Sequence, residues 1–254
     1  GEETAPIRFK YTIPEELGVD SKQFSKIDSI VLRGIKDKVF PGCQVLIAKN
    51  EKVIYQKSFG FHTYENKITV KDNDVYDIAS ITKIVSSTAS VMRLMDQKKL
   101  SLDMRLSDYL PELNGTNKQD IRVRELLTHQ AGFRDWIAFW TKTVNKDGSY
   151  KPGIYSRTPN ELYIKRVADD LYINNNYEDT IYKQIIDSPI KERGKYLYSD
   201  LGYYFLKKII EKQAEAALNV YTLNSFYAPL GLPTIGYKPL SRFEMNQIVP
   251  TEFD

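Results

Sequence analysis

The pattern of apolar and polar positions divides the chain into a short β segment and a long helical one. Residues 20–38 carry Phe24, Ile27, Ile30, Val31 and Ile35 at helical spacing, with Asp20 or Ser21 as cap, and predict an amphipathic helix. Pro41-Gly42 breaks the chain. An apolar run from Cys43 to Ala48, the pair Asn50-Glu51 and a second run from Val53 to Phe59 predict a β-hairpin with a tight turn. Gly60 to Asp77 reads as a loop. Ser80 to Lys98 is the strongest helical pattern: Ile84, Val85, Ala89, Val91, Met92, Leu94 and Met95 cover most of its surface, so deep burial is expected. Short helices are predicted near 105–110 and 122–129, then a long aromatic loop over 133–157, then helices over 158–173, 178–187, 200–217 and 219–227. The expectation is an α+β fold within one domain, 1–254: a helical lobe of about 78–230 beside an antiparallel sheet packed by helix 20–38. Nothing after the hairpin reads as strands that would complete that sheet.

With 254 residues, 42% of them hydrophobic, the chain can bury a substantial core. The net charge is +3, and Lys and Arg are scattered rather than gathered into runs, which argues against a nucleic-acid partner. Cys43 is the single cysteine, which excludes an internal disulfide and a Cys-based metal cluster. His62 and His129 are too few for a His-rich metal site, and the chemistry proposed below implies neither metal nor cofactor. No apolar run approaches the ~20 residues of a membrane helix. Gly1-Glu2-Glu3-Thr4 lacks the basic and apolar stretches of a signal peptide, and Gly1 reads as a cloning remnant, which leaves room for a leader removed upstream. The 18 tyrosines read as amphipathic surface and loop packing rather than a carbohydrate site.

The chemistry rests on Ser80-Ile81-Thr82-Lys83. Residues three apart on the first turn of a helix share a face, so the Lys amine reaches the Ser hydroxyl. Burial and the positive helix end both lower the pKa of such a lysine, and a neutral amine takes the serine proton. The helix start also offers the Ser80 N–H to a developing oxyanion. The bare motif is weak: 16 serines and 25 lysines in this length make one or two chance matches expected, and a second occurs at Ser188-Pro189-Ile190-Lys191. Context separates them, since Pro189 disrupts a shared face and Ser188 and Lys191 are expected exposed and inert. Tyr198-Ser199-Asp200 is the second piece. Tyr198 can share proton transfer and Asp200 can hold Lys83 by a charge-assisted hydrogen bond; the plainer reading is a capped helix with Tyr198 packed against it. Trp136, in the aromatic loop, is a candidate substrate contact. His62 and His129 each read as structural. The signatures G-x-S-x-G, H-E-x-x-H, G-x-G-x-x-G and the P-loop are absent, which sets a lipase-like α/β-hydrolase far behind.

Four stretches, in order, resemble the β-lactamase-related serine hydrolases: class C β-lactamases, D,D-carboxypeptidases and related esterases. They are Tyr76 to Lys83 (nucleophile segment), Leu100 to Pro111 (the following loop), Leu126 to Phe133 (an L-L-T-H-x-S-G turn) and Tyr196 to Tyr204 (a Y-S-N-x-G-Y segment). The resemblance implies an acyl-enzyme at Ser80, with Lys83 and Tyr198 moving protons, acting on a β-lactam, a D-Ala-type cell-wall peptide or an ester. Pro41-Gly42-Cys43-Gln44 and Ile248 to Asp254 resemble a subgroup in which such a domain follows a family 3 glycoside hydrolase. This implies an exported or periplasmic protein working with or fused to that partner.

Two departures qualify the resemblance. Asp200 stands where the family usually has Asn, and a carboxylate there would keep Lys83 protonated, shift the proton load to Tyr198 and disfavour acidic substrates. The family's later strand, bearing K-T-G or H-x-G, does not appear in this chain, so the oxyanion hole is expected half built and acylation slow. The open sheet edge is then expected to pair with a second copy, giving a homodimer, or to be closed by a strand from Ile7 to Ile13. A non-catalytic module binding cell-wall peptide or a partner is the alternative.

Overall fold

The computed structural model describes residues 9–251. Ile7 of the expected N-terminal strand, and Glu252 to Asp254 of the C-terminal segment, lie outside the described residues. Backbone contacts divide the chain into two compact units, one of Gly1–Ile78 with Asn224–Asp254, the other of Ala79–Leu223.

The first unit holds the predicted hairpin. β1 is Lys10–Tyr11, α1 is Phe24–Lys36, β2 is Gly42–Lys49 and β3 is Lys52–Gly60. Asn50 and Glu51 make the turn with φ of +49° and +62°, the doubly left-handed geometry that matches strand twist. The sheet order is β1-β3-β2, with β2 antiparallel to β3 and β1 parallel to it. The N-terminal segment therefore supplies a third strand. Val31 of α1 and Val53, Ile54 and Phe59 of β3 are buried. Phe24 packs on Tyr55 with ring centroids 4.9 Å apart, and Asp28 accepts from Tyr55 Oη and, at 2.8 Å, from Lys57 Nζ. The loop after β3 is tied down by buried His62, whose Nε2 lies 2.7 Å from Asp74 Oδ2. His62 thus acts as a structural residue. Val75 pairs with Ile248 of the C-terminal segment.

The second unit is built on α6, Leu201–Ala214, where Leu201, Phe205, Leu206, Ile209 and Ile210 are buried. α2 (Ala89–Asp96), α3 (Leu106–Tyr109), α4 (Val123–Leu127) and α7 (Leu218–Thr222) pack on it. Gly202 lets α4 approach closely: a Cβ there would lie 3.3 Å from Leu126 Cδ2. The helix predicted from Ser80 runs through a π-helical stretch, Lys83–Thr88, before continuing as α2. Its burial is one-sided rather than deep. Ser86, Ser87, Ser90, Val91 and Leu94 are buried, whereas Ile81, Ile84 and Met92 are exposed. Small serines, absent from an apolar count, make up much of its buried face.

The predicted helix over 158–173 is instead a hairpin. β5 (Lys165–Ala168) and β6 (Leu171–Ile173) pair antiparallel, and β4 (Tyr155–Ser156) joins to give the order β4-β6-β5. Asp169-Asp170 makes the turn, with Asp170 at φ +46°. Leu162, Ile164 and Val167 in this stretch are exposed, so no core rewards a helix there. α5, Tyr177–Asp187, follows as expected.

Ser188 departs from its expectation. It is buried, while Lys191 is exposed. Pro189 forces the preceding residue out of the helix, and Ser188 lies at φ −69°, ψ 146°, so no helical face is shared with Lys191. The Ser188 carbonyl accepts from Lys118 Nζ, which also donates to Asn117 Oδ1 at 2.8 Å and lies 5.7 Å from the Phe133 ring centroid. Lys118 has no exposed surface, and burial pushes its amine down to about 8. Because the folded state releases this proton more readily than the unfolded chain, stability should rise as pH rises from about 8 to about 10. Urea denaturation should show a gain on the order of 2–3 kcal/mol over that window, and Lys118→Met should abolish it. Gly132, at φ +74°, has room for no side chain, since a Cβ would lie 2.5 Å from Lys191 O. Gly132→Ala should cost about 2 kcal/mol or more in the same measurement.

Candidate active site

Ser80 sits at the junction of a turn and a helix. Ala79 before it has φ +43°, a left-handed conformation that is costly for a residue with a Cβ. The Thr82 N–H donates to Ala79 O and the Lys83 N–H to Ser80 O, both at 3.0 Å, which closes the first turn. Lys83 then falls on the same face as Ser80, and its Nζ donates to Ser80 Oγ at 2.8 Å. The Lys83 carbonyl accepts from Thr88 Oγ1 at 2.9 Å within the π-helical stretch.

A second segment meets this face. The Leu197 N–H donates to His129 O at 2.8 Å and the Ser199 N–H to His129 Nδ1 at 3.1 Å. Ser199 Oγ donates to Arg134 O at 2.5 Å, and the Asp200 N–H to Asp135 O at 2.8 Å. Residues 197–200 are thus pinned before α6 begins. Tyr198 Oη donates to Ser80 Oγ at 2.8 Å, and Asp200 Oδ1 accepts from Lys83 Nζ at 2.6 Å. The four residues singled out from the sequence, Ser80, Lys83, Tyr198 and Asp200, lie together. The Lys83 side chain is 14% exposed and that of Asp200 is 45% exposed, so the ion pair has one dry end and one wet end. Lys83 Nζ also lies 5.1 Å from the Tyr198 ring centroid and 5.5 Å from that of Tyr203.

The electrostatics reverse one expectation from the motif alone. Burial pushes the Lys83 amine down, but hydrogen bonds and charge from Asp200 and Tyr198 outweigh it, and the net shift is upward. That direction favours the ammonium form of Lys83, the form that donates to both Ser80 Oγ and Asp200 Oδ1. The four-residue motif does not contain the carboxylate, which lies 117 residues away in the chain. Burial and then the Lys83 charge push His129 below the ordinary histidine value.

Trp136 is 54% exposed, one residue beyond Asp135, whose carbonyl holds Asp200. It follows in the chain the two residues, Arg134 and Asp135, whose carbonyls anchor the Tyr198 segment. Sequence reasoning missed Ala79, whose left-handed backbone no composition rule marks, and the grip of His129 on the Tyr198 segment. The rings of His129 and Tyr198 are 4.4 Å apart and inclined at 32°. Among the described residues no cluster of His, Cys, Asp and Glu is arranged to hold a metal ion. No helix among them is long and apolar enough to cross a membrane.

Comparison with known proteins gives this geometry a family context. The β-lactamase family model matches residues 27–246. The chain is 28% identical to an N-acetylmuramyl-L-alanine amidase of Bacillus subtilis, covering 94% of this chain and 53% of that protein. It is 27% identical to a putative D-alanyl-D-alanine carboxypeptidase of Escherichia coli, covering 95% of this chain and 53% of that protein. The chain thus spans about half the length of the curated relatives it matches. Among solved structures, an octameric penicillin-binding protein homologue from Pyrococcus abyssi superposes with a TM-score of 0.60 at 23% identity, over 82% of this chain and 43% of that one. The fold is the α+β fold of these proteins, and the chain belongs to the β-lactamase family.

Proposed function

We propose that this protein is a serine acyl hydrolase that forms an acyl-enzyme at Ser80. The observation that carries this reading is the convergence of Lys83 Nζ and Tyr198 Oη on Ser80 Oγ, each at 2.8 Å. Two donors on one hydroxyl, at a helix start, form a nucleophile with its proton handlers. Asp200 keeps Lys83 charged, so Tyr198 Oη, in contact with Ser80 Oγ, is the group that relays the Ser80 proton as Oγ attacks the acyl carbon. The Lys83 ammonium offsets the charge. The proton then passes to the leaving group, and water releases the acyl group by the reverse transfer. The Ser80 N–H, at the helix start, contributes to the oxyanion site.

The substrate class follows from the relatives' names and from Asp200. An N-acetylmuramyl-L-alanine amidase and a D-alanyl-D-alanine carboxypeptidase support an exported protein acting on amide or ester bonds of the cell wall. Asp200 opposes a carboxylate beside the scissile bond and favours acyl donors without one. A binding module without turnover is the second reading, favoured by the charge on Lys83.

Mass spectrometry after incubation with a fluorophosphonate and with a penicillin separates the two. An adduct on Ser80, lost in Ser80→Ala, is expected; an unmodified protein leaves the binding module. Asp200→Asn should raise acylation by a carboxylate-bearing penicillin relative to a neutral nitrophenyl ester by roughly fivefold, the ~1 kcal/mol that two charges exchange across water at 4 Å. In the pH profile of the same variant, the falling alkaline limb should move to lower pH, because Lys83 loses the carboxylate that holds its proton. A rising limb that moves instead would make neutral Lys83 the base.

A further inference from the structure

His129 is not one of the groups that touch Ser80, yet it holds the segment that does. Its carbonyl accepts from the Leu197 N–H at 2.8 Å, and its Nδ1 accepts from the Ser199 N–H at 3.1 Å, one on each side of Tyr198. Its ring lies against the Tyr198 ring at 4.4 Å, with Tyr203 at 5.6 Å and Tyr196 at 6.0 Å. His129 also carries φ +55°, a left-handed backbone that a packing residue does not need. That backbone places both the carbonyl and the ring on the same three residues. We infer that His129, as a neutral imidazole whose Nδ1 accepts the Ser199 N–H, is a positioning residue that sets Tyr198 on Ser80, and that protonating the ring releases Tyr198. This role rests on the acyl-transfer reading for its catalytic consequence, but not for its structural one.

The chemistry is that of one nitrogen. An imidazolium carries a proton on Nδ1, which turns the acceptor into a second donor facing the Ser199 N–H. The hydrogen bond is lost and a cation appears beside Tyr198. The groups around the ring set when this happens. Lys83 opposes the charge, Asp200 favours it, and Glu125 of α4 lines the same small cavity; Tyr196, Tyr198 and Tyr203 supply the aromatic walls. Burial and Lys83 prevail, so the ring stays neutral to below the ordinary histidine value. The active form is therefore the deprotonated one, and activity falls as pH falls through the titration of the ring.

The protein has two histidines, which makes the test direct. In 15N-histidine NMR at pH ~8, above the ordinary histidine range, the resonances that disappear in His129→Asn should report an unprotonated Nδ1 and a protonated Nε2. On acidification below about 6.5, the Ser199 amide and the Tyr198 ring should shift together with that imidazole. A ring protonated on Nδ1 at the starting pH, or a Tyr198 ring indifferent to its titration, overturns the inference whether or not Ser80 reacts. The kinetic arm uses acylation by a neutral nitrophenyl ester. His129→Asn keeps an acceptor near the Nδ1 position and tolerates the positive φ; it should stay within about tenfold of the wild type and lack the acid limb. His129→Phe keeps a ring but no acceptor and should lose about 10²-fold at every pH. An acid limb that persists in the Asn variant, or a Phe variant as active as the Asn variant, also overturns the inference. The NMR signature without any labelling of Ser80 would instead sink the acyl-transfer reading and leave the positioning role standing.

Discussion

The Lys83–Asp200 ion pair joins two segments 117 residues apart, and the proposed chemistry of the site depends on it. A lysine at a helix start, partly buried, would lose its proton readily on its own. The carboxylate at 2.6 Å reverses that and fixes Lys83 as a donor to Ser80. In the proposed mechanism, once Lys83 is a cation, Tyr198 is the group in contact with Ser80 Oγ that can take its proton. The same carboxylate sets the sign of the local charge against anionic acyl donors. One side chain would thereby influence both the identity of the base and the choice of substrate.

The rest of the second unit keeps the partners of this pair in place. α6 begins directly after Asp200, whose carbonyl accepts from the Tyr203 N–H, and its buried stripe from Leu201 to Ile210 forms much of the core of the unit. In front, the carbonyls of His129, Arg134 and Asp135 hold Leu197, Ser199 and Asp200. Upstream, the buried Lys118 secures Ser188, at the start of the stretch that leads to Tyr198. On the serine side, the left-handed Ala79 and the π-helical stretch from Lys83 are local departures from helix geometry beside the candidate nucleophile. Such departures persist where surrounding contacts enforce them.

Much of the fold was legible in the residues. Asn50-Glu51 between two apolar runs marked the hairpin. Ser80 with Lys83 at the head of the strongest helical pattern marked a candidate nucleophile, and the structure brings Tyr198 and Asp200 to it. What was not legible depended on tertiary context. The 158–173 stretch was expected to be helical, but Leu162, Ile164 and Val167 face solvent, and Asp169-Asp170 turns the chain between two strands. Ser188 looked like a surface residue beside a proline, yet its carbonyl is the partner that a buried Lys118 needs. His129 read only as structural, and nothing local in the sequence ties it to Ser199, 70 residues on.

The central claim is that Asp200 holds Lys83 as an ammonium while Ser80 waits for substrate. The 15N resonance of the Lys83 side chain, followed against pH, tests it most directly. The account predicts that Lys83 keeps its proton beyond the ordinary lysine value of about 10.4, and that Asp200→Asn brings its titration down. A Lys83 amine that titrates well below that value in the wild type, unmoved by Asp200→Asn, would contradict it.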